Sequence, residues 1–294
     1  MRLALIFNRM RADTTGIYFE RALRHLGVDV DHWWLRDVAK IPATYALYLR
    51  VDHGDDYDVS WPARLHPSVL YAIDTHLPHS WRKIQRAAGR YDLMVCAQRL
   101  AAERLRGAWV TFGCDPELHR PEEPASEQWD LVFVGSDGGV PRKFYLQALR
   151  ERYPNSFIGP AAHTQLGAMY GRARIGFNYS IADDVNMRMF EVLGAGACLV
   201  TNALRHDDLA RLGLLDRQHV VLYRSPQQLL DVVQELLSHR EERRRIARAG
   251  FEAAWNRHTY THRMEELLNI IDARLGIRIS RTPAGRGDMN TLVG

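Results

Sequence analysis

The chain has 294 residues, 46% hydrophobic and 25% charged, which suits two ordinary globular domains and excludes a disordered or collagen-like polymer. No run approaches the ~20 apolar residues of a membrane span. The formal charge of +4 comes from 39 basic against 35 acidic residues, with only Lys40, Lys83 and Lys143 as lysines; so arginine-rich a chain suits phosphate ligands, but a nucleic-acid reader needs a denser basic stripe interleaved with aromatics, and no nucleic-acid partner is expected.

The N-terminus begins directly with an apolar strand pattern, Arg2 to Asn8, without the basic segment, apolar stretch and cleavage site of a secretory signal. The expected compartment is therefore the cytoplasm. A polar loop, Arg9 to Thr15, leads through Gly16 into an amphipathic helix ending at His25, and Val28-Asp29-Val30 opens a second strand. Strand, loop, helix, strand is the opening of a doubly wound sheet, whose ligands sit at the carboxyl ends of its strands. Asp13, Thr14 and Thr15 stand in the loop, where one of them caps the helix or, for Asp13, serves as a base.

Tyr45 to Leu49 reads as a strand, followed by Asp52-His53-Gly54-Asp55-Asp56, more a solvated turn than a metal site. Val69 to Ile73 is a strand ending in Asp74-Thr75-His76. That puts a carboxylate and an imidazole at a strand's carboxyl end, either as chemistry or as a buried His satisfied by Asp74. Helices over 79–89 and 98–106 alternate with strands over 91–97 and 109–112. Cys96, Cys114 and Cys198 have no ligand spacing and are expected as core fillers in a reducing compartment.

After Gly113 to Pro121, Pro121 and Pro124 with the acids at 122, 123 and 127 mark an exposed hinge by composition. Asp130 to Val134 is a fresh strand running into Gly135-Ser136-Asp137-Gly138-Gly139-Val140-Pro141-Arg142-Lys143. Such a turn lets backbone approach phosphate, with Arg142 or Lys143 neutralising it and Arg142 favoured; otherwise it is a glycine turn with a solvated basic pair. A strand at 156–159 and a helix at 164–173 follow.

Arg174 to Tyr179 is a strand, after which Asp183, Asp184 and Asn186 offer oxygens to cap a helix. Met187, Phe190 and Leu193 form its core stripe, and Gly194 and Gly196 end it before the Cys198-Leu199-Val200 strand. A helix N-terminus at a parallel strand's carboxyl end is an anion site. Arg188 adds a fork for a diphosphate and Glu191 an acceptor for ribose hydroxyls, unless the two merely form a surface ion pair. Beyond Asn202 come a helix at 207–212, a strand at 219–223, a Ser225-Pro226 helix start, helical periodicity to Leu275 and a loose tail over 276–294.

Asp183 and Glu191 enclose seven residues ahead of a small-residue turn, and this stretch resembles the donor-site signature of GT-B glycosyltransferases of the glycogen-synthase-like superfamily. Met187-Arg188-Met189-Phe190-Glu191 with Gly194-Ala195-Gly196 is similar to the spore-maturation CgeB-like group. Residues 113–121, 131–143 and 258–263 resemble the superfamily's linker, diphosphate turn and closing segment. The resemblance implies an α/β GT-B fold: a Rossmann-like acceptor domain over 1–120, a Rossmann-like donor domain over 121–260 facing it across a cleft, a crossing-back helix over 261–275 and a tail.

It also implies transfer of a sugar from a nucleotide diphosphate, such as UDP, to a hydroxyl- or amine-bearing acceptor, with no metal and no further cofactor. The donor residues implied are Gly135, Ser136, Arg142, Lys143, Asn186, Met187, Arg188 and Glu191, with Asp183 on the sugar; N–H groups of 186–188 join the arginines on the diphosphate. Base recognition is expected from backbone groups and stacking in loops such as 157–164. An inverting reaction needs a base, for which Asp13, Asp74 and His76 are candidates. The rivals are a nucleotide-sugar 2-epimerase of the same fold and a non-catalytic module that binds a nucleotide or nucleic acid.

Overall fold

The computed structural model describes residues 2–11, 14–52, 59–121 and 126–281. Two compact units emerge: one runs to Thr111 and resumes at Tyr260, and the other spans Phe112–Thr259.

The first unit contains β1 (Arg2–Ile6), α1 (Thr15–His25), β2 (Asp29–Trp33), β3 (Leu47–Val51), β4 (Ser68–Ala72), α2 (Pro78–Ala88), β5 (Leu93–Cys96), α3 (Arg99–Arg104) and β6 (Ala108–Trp109). Its six strands are parallel in the order β2-β1-β3-β4-β5-β6. Parallel strands are covered on both faces, which is why β3 and β4 are buried at every position. Thr14 is the N-cap of α1, but its hydroxyl donates back to Arg11 O at 2.8 Å and does not cap the helix.

The second unit contains β7 (Trp129–Val134), α4 (Arg142–Arg152), β8 (Ser156–Gly159), α5 (Leu166–Gly171), β9 (Ala173–Asn178), α6 (Met187–Gly194), β10 (Cys198–Asn202), α7 (Asp208–Arg211), β11 (Val221–Tyr223), α8 (Pro226–Ser238) and α9 (Arg240–Arg257). Its five parallel strands run β11-β10-β9-β7-β8. The segment ahead of the expected hinge is tied into this unit, because Cys114 N–H donates to His258 O at 2.9 Å, while 122–125 of that hinge lie outside the described residues. Ser225 caps α8 by accepting from Gln228 N–H, with Pro226 in the first turn. The buried face of α6 is broader than a three-residue repeat, taking in Met189, Phe190, Val192 and Leu193, with Met187 only half-buried.

The last helix, α10 (Tyr260–Leu275), returns to the first unit. Tyr260 stacks on Tyr18 of α1 with ring centroids 4.8 Å apart. All three cysteines are buried thiols outside any disulfide. Burial pushes the Cys96 and Cys198 thiols up to about 12, which leaves them unreactive fillers. Among the described residues no helix is long and apolar enough to cross a membrane.

Candidate functional site

In the second unit the first strand, β7, lies between β8 and β9, so successive connections leave it in opposite directions. The carboxyl ends of β7 and β9 flank that switch point, where open α/β sheets hold ligands. The chain there passes through Gly135 at φ 144° and Gly138 at φ 62°, conformations open to glycine and strained for other residues. Each also makes room for a guanidinium. A Cβ on Gly135 would lie 2.6 Å from Arg188 Nη2, and one on Gly138 would collide with the Arg142 guanidinium.

Arg142 opens α4, and its Nε donates to Asp137 O at 3.1 Å. Arg188, in the first turn of α6, donates from Nε to Val134 O at 3.0 Å and from Nη1 to Asn178 Oδ1 at 3.2 Å. Its guanidinium also hydrogen-bonds the Tyr170 hydroxyl, which accepts from Val134 N–H at 3.1 Å. Both guanidiniums stand over the Phe133 ring, Arg188 at 4.5 Å and Arg142 at 5.6 Å from its centroid. Burial, then the charge of Arg188, lowers the pKa of Arg142. Among the described residues neither guanidinium forms an ion pair with a carboxylate. Two cations sharing one ring beside two helix N-termini have the charge and donor geometry that suit a doubly charged anion.

Glu191 sits one turn beyond Arg188, half-buried and close enough to Tyr170 for its charge to help raise that phenol. Burial does most of that work, pushing Tyr170 up to about 12 and keeping it a neutral hydrogen-bonding group. Arg142, Arg188 and Glu191 are thus gathered at one end of the sheet, with Gly135 against Arg188. Ser136 and Lys143 are exposed at its rim, and Lys143 is the outward member of the basic pair.

The expected helix cap is not made by a side chain. Asn186 is the N-cap of α6 in extended conformation, but its side chain caps nothing and its Oδ1 is buried without a hydrogen-bond partner. Asp184 Oδ1 accepts from Ser180 Oγ at 2.7 Å, and Asp183 Oδ1 and Oδ2 accept from Arg205 N–H and Nε, each at 2.8 Å. Asn202 completes the brace, accepting from Ser180 N–H at 2.7 Å and donating to Ser180 O at 3.2 Å. These acids brace the loop and do not cap the first N–H groups of α6.

In the first unit, Asp74 is half-buried and His76 exposed in the loop after β4, so His76 is not the buried, Asp-satisfied histidine that the spacing also allowed. Between them Thr75 Oγ1 donates to Gln98 Oε1 at 2.6 Å. Asp13 and most of the Asp/His loop, residues 53–56, lie outside the described residues. Among the described residues no group of three or more His, Cys, Asp or Glu side chains is placed to hold a metal ion. Phe133, Tyr170 and Asn178 were not singled out from the sequence. Of these only Asn178, a polar residue closing an apolar strand, carried a visible signal.

Residues 120–269 match the protein family described as "Glycosyl transferase-like". No curated protein matches the sequence. Among solved structures, the chain is similar to Anabaena Alr3699/HepE in complex with UDP and glucose, with a TM-score of 0.67 and 11% identity over 92% of this chain and 99% of that one. An alpha-glucosyltransferase in complex with UDP-glucose and DNA containing an abasic site gives 0.66 at 9% identity over 92% and 99%. Sucrose-phosphate synthase from Thermosynechococcus elongatus gives 0.63 at 12% over 94% and 99%. Identities this low speak for the fold, the two Rossmann-like halves of GT-B proteins. With residues 120–269 of its 294 matched, just over half, the chain belongs to the glycosyl transferase-like family.

Proposed function

We propose that this glycosyltransferase takes a UDP-sugar as donor and passes the sugar to a hydroxyl- or amine-bearing acceptor. The observation that carries the reading is the pair of guanidiniums over Phe133, unpaired with any carboxylate among the described residues, at the switch point of the second sheet. Arg142 and Arg188 hold the diphosphate, joined by the N–H groups that open α6, and Glu191 accepts from the ribose hydroxyls. Gly135 and Ser136 let the backbone approach the phosphates. Uridine is favoured because HepE and the alpha-glucosyltransferase are described with UDP or UDP-glucose. Within the family, our reading is a CgeB-like member, supported by Met187-Arg188-Met189-Phe190-Glu191 and the Gly194-Ala195-Gly196 exit.

As the bond to the sugar breaks, negative charge builds on the departing UDP. Two fixed arginines and a helix N-terminus stabilise it without reorganising, and so do the work of a divalent cation. Asp74 and His76 are the described groups proposed to take the acceptor's proton in an inverting reaction. Calorimetry with UDP, GDP and dTDP, followed by turnover of the UDP-sugar in excess chelator, tests the reading. UDP should bind at least about tenfold tighter than the others, with activity surviving the chelator. Absence of UDP binding removes the donor assignment.

A further inference from the structure

Arg205 follows β10 on the loop leading to α7. Asp183 bonds its backbone N–H and its Nε with one oxygen each, at 2.8 Å, and holds itself at a left-handed φ of 59° to do so. A non-glycine residue keeps that conformation only where its surroundings impose it. The two side chains differ sharply in exposure, 15% for Asp183 and 84% for Arg205. One edge of the guanidinium is therefore anchored. Nη1 and Nη2 have no protein partner among the described residues and face solvent.

An exposed arginine ordinarily gives up much rotamer freedom on gripping a ligand. Here the anchor has already ordered it, leaving a planar fork whose geometry matches a carboxylate bidentately. The fork sits on the β10–α7 loop and is tied through Asp183 to the loop that leads into the arginine site. Asp183 lies three residues before Asn186, the N-cap of α6, and Asn202 braces the start of the same loop through both backbone groups of Ser180. Because Asp183 neutralises the charge of Arg205, the pair draws nothing from a distance. It discriminates at contact, by shape and hydrogen bonds.

Resting on the donor reading above, we propose that Arg205 reads a carboxylate on the donor sugar, so that uronic-acid nucleotides bind in preference to neutral hexose nucleotides. Asp183, the residue expected to touch the sugar, is on this view the positioning residue for the group that does.

The test is calorimetry of the full chain with UDP, UDP-glucose and UDP-glucuronate, on the wild type, Arg205→Gln and Asp183→Asn. Charge-assisted bidentate contact predicts UDP-glucuronate binding roughly fivefold or more tighter than UDP-glucose. Arg205→Gln should bring the two together, with UDP affinity and melting temperature close to wild type. Asp183→Asn, which loosens the anchor, should fall between. Equal affinities in the wild type, or a preference that survives Arg205→Gln, overturn the proposal while UDP binding keeps the donor reading intact. A chain that binds none of the three loses both.

Discussion

Arg188 and Arg142 place their guanidiniums over the same Phe133 ring, at 4.5 and 5.6 Å from its centroid, although they open different helices. Beyond burial, the charge of Arg188 disfavours the charged form of Arg142, and an anion bound between them would relieve that repulsion. Arg188→Ala removes one charged fork, worth roughly 1.5–3 kcal/mol for hydrogen bonds to a charged group, so UDP affinity should fall at least about tenfold. Arg188→Lys should recover little, because an ammonium cannot donate to Val134 O and Asn178 Oδ1 and still face a diphosphate in a fork. Titration calorimetry decides, and wild-type affinity in both variants removes Arg188 from the donor site.

Glu191 should act on a different part of the same ligand. A carboxylate repels phosphate and accepts from hydroxyls, so Glu191→Ala should weaken UDP by about tenfold, the order of one charged hydrogen bond, while leaving inorganic pyrophosphate bound as before. Equal weakening of both ligands would show the residue acting on the arginines and not on a ribose.

The alternating α/β order was legible because buried parallel strands are continuous apolar runs and the helices between them are amphipathic. Gly135, Arg142, Arg188 and Glu191 were legible through glycine spacing and the position of a helix start. What escaped depends on tertiary contact. Tyr170 reads as one more aromatic on a short helix, and only folding brings its hydroxyl to Val134 and Arg188. Asp183 and Asp184 look like caps because local sequence favours caps, yet Arg205 takes the hydrogen bonds of the first and Ser180 those of the second. Arg205 carried no signal, being one arginine among many.

Gly135→Ala tests the fit between the turn and its arginine. The new Cβ would meet Arg188 Nη2 at 2.6 Å in a backbone at φ 144°. The side chain must swing off Phe133, and the backbone strain should cost about 1–3 kcal/mol. UDP affinity should drop with it, measured by calorimetry beside a melting curve. A stable variant that binds UDP normally would separate the turn from the ligand.

His76 and Asp74 follow β4 in the first unit, His76 exposed. If His76 takes the acceptor's proton, His76→Ala should lower kcat by a factor on the order of 10²–10⁴ and leave UDP affinity unchanged. Full turnover would pass the role to Asp74 or to a retaining course.

Away from the site, Glu127 should govern acid stability. It accepts from Arg243 at 3.1 Å, from Arg174 at 3.2 Å and from Arg244 at 3.4 Å, and Arg243 is only 3% exposed. Burial alone would raise the Glu127 carboxyl, but the bonds and charges of Arg243 and Arg244 outweigh it and hold it below the ordinary 4.5. A depressed carboxylate contributes stability that is fully present above its unfolded value and is lost as pH falls through its folded value. Glu127→Gln leaves Arg243 buried without its counter-charge, which costs 3–5 kcal/mol for a fully buried pair. With the Glu127 side chain 26% exposed, screening brings the expected loss at neutral pH to about 2 kcal/mol. Denaturant unfolding of both proteins should show that gap at pH 7 and see it close as pH drops below 4.5. A gap that persists unchanged into acid would mean that the glutamate acts by packing and not by charge.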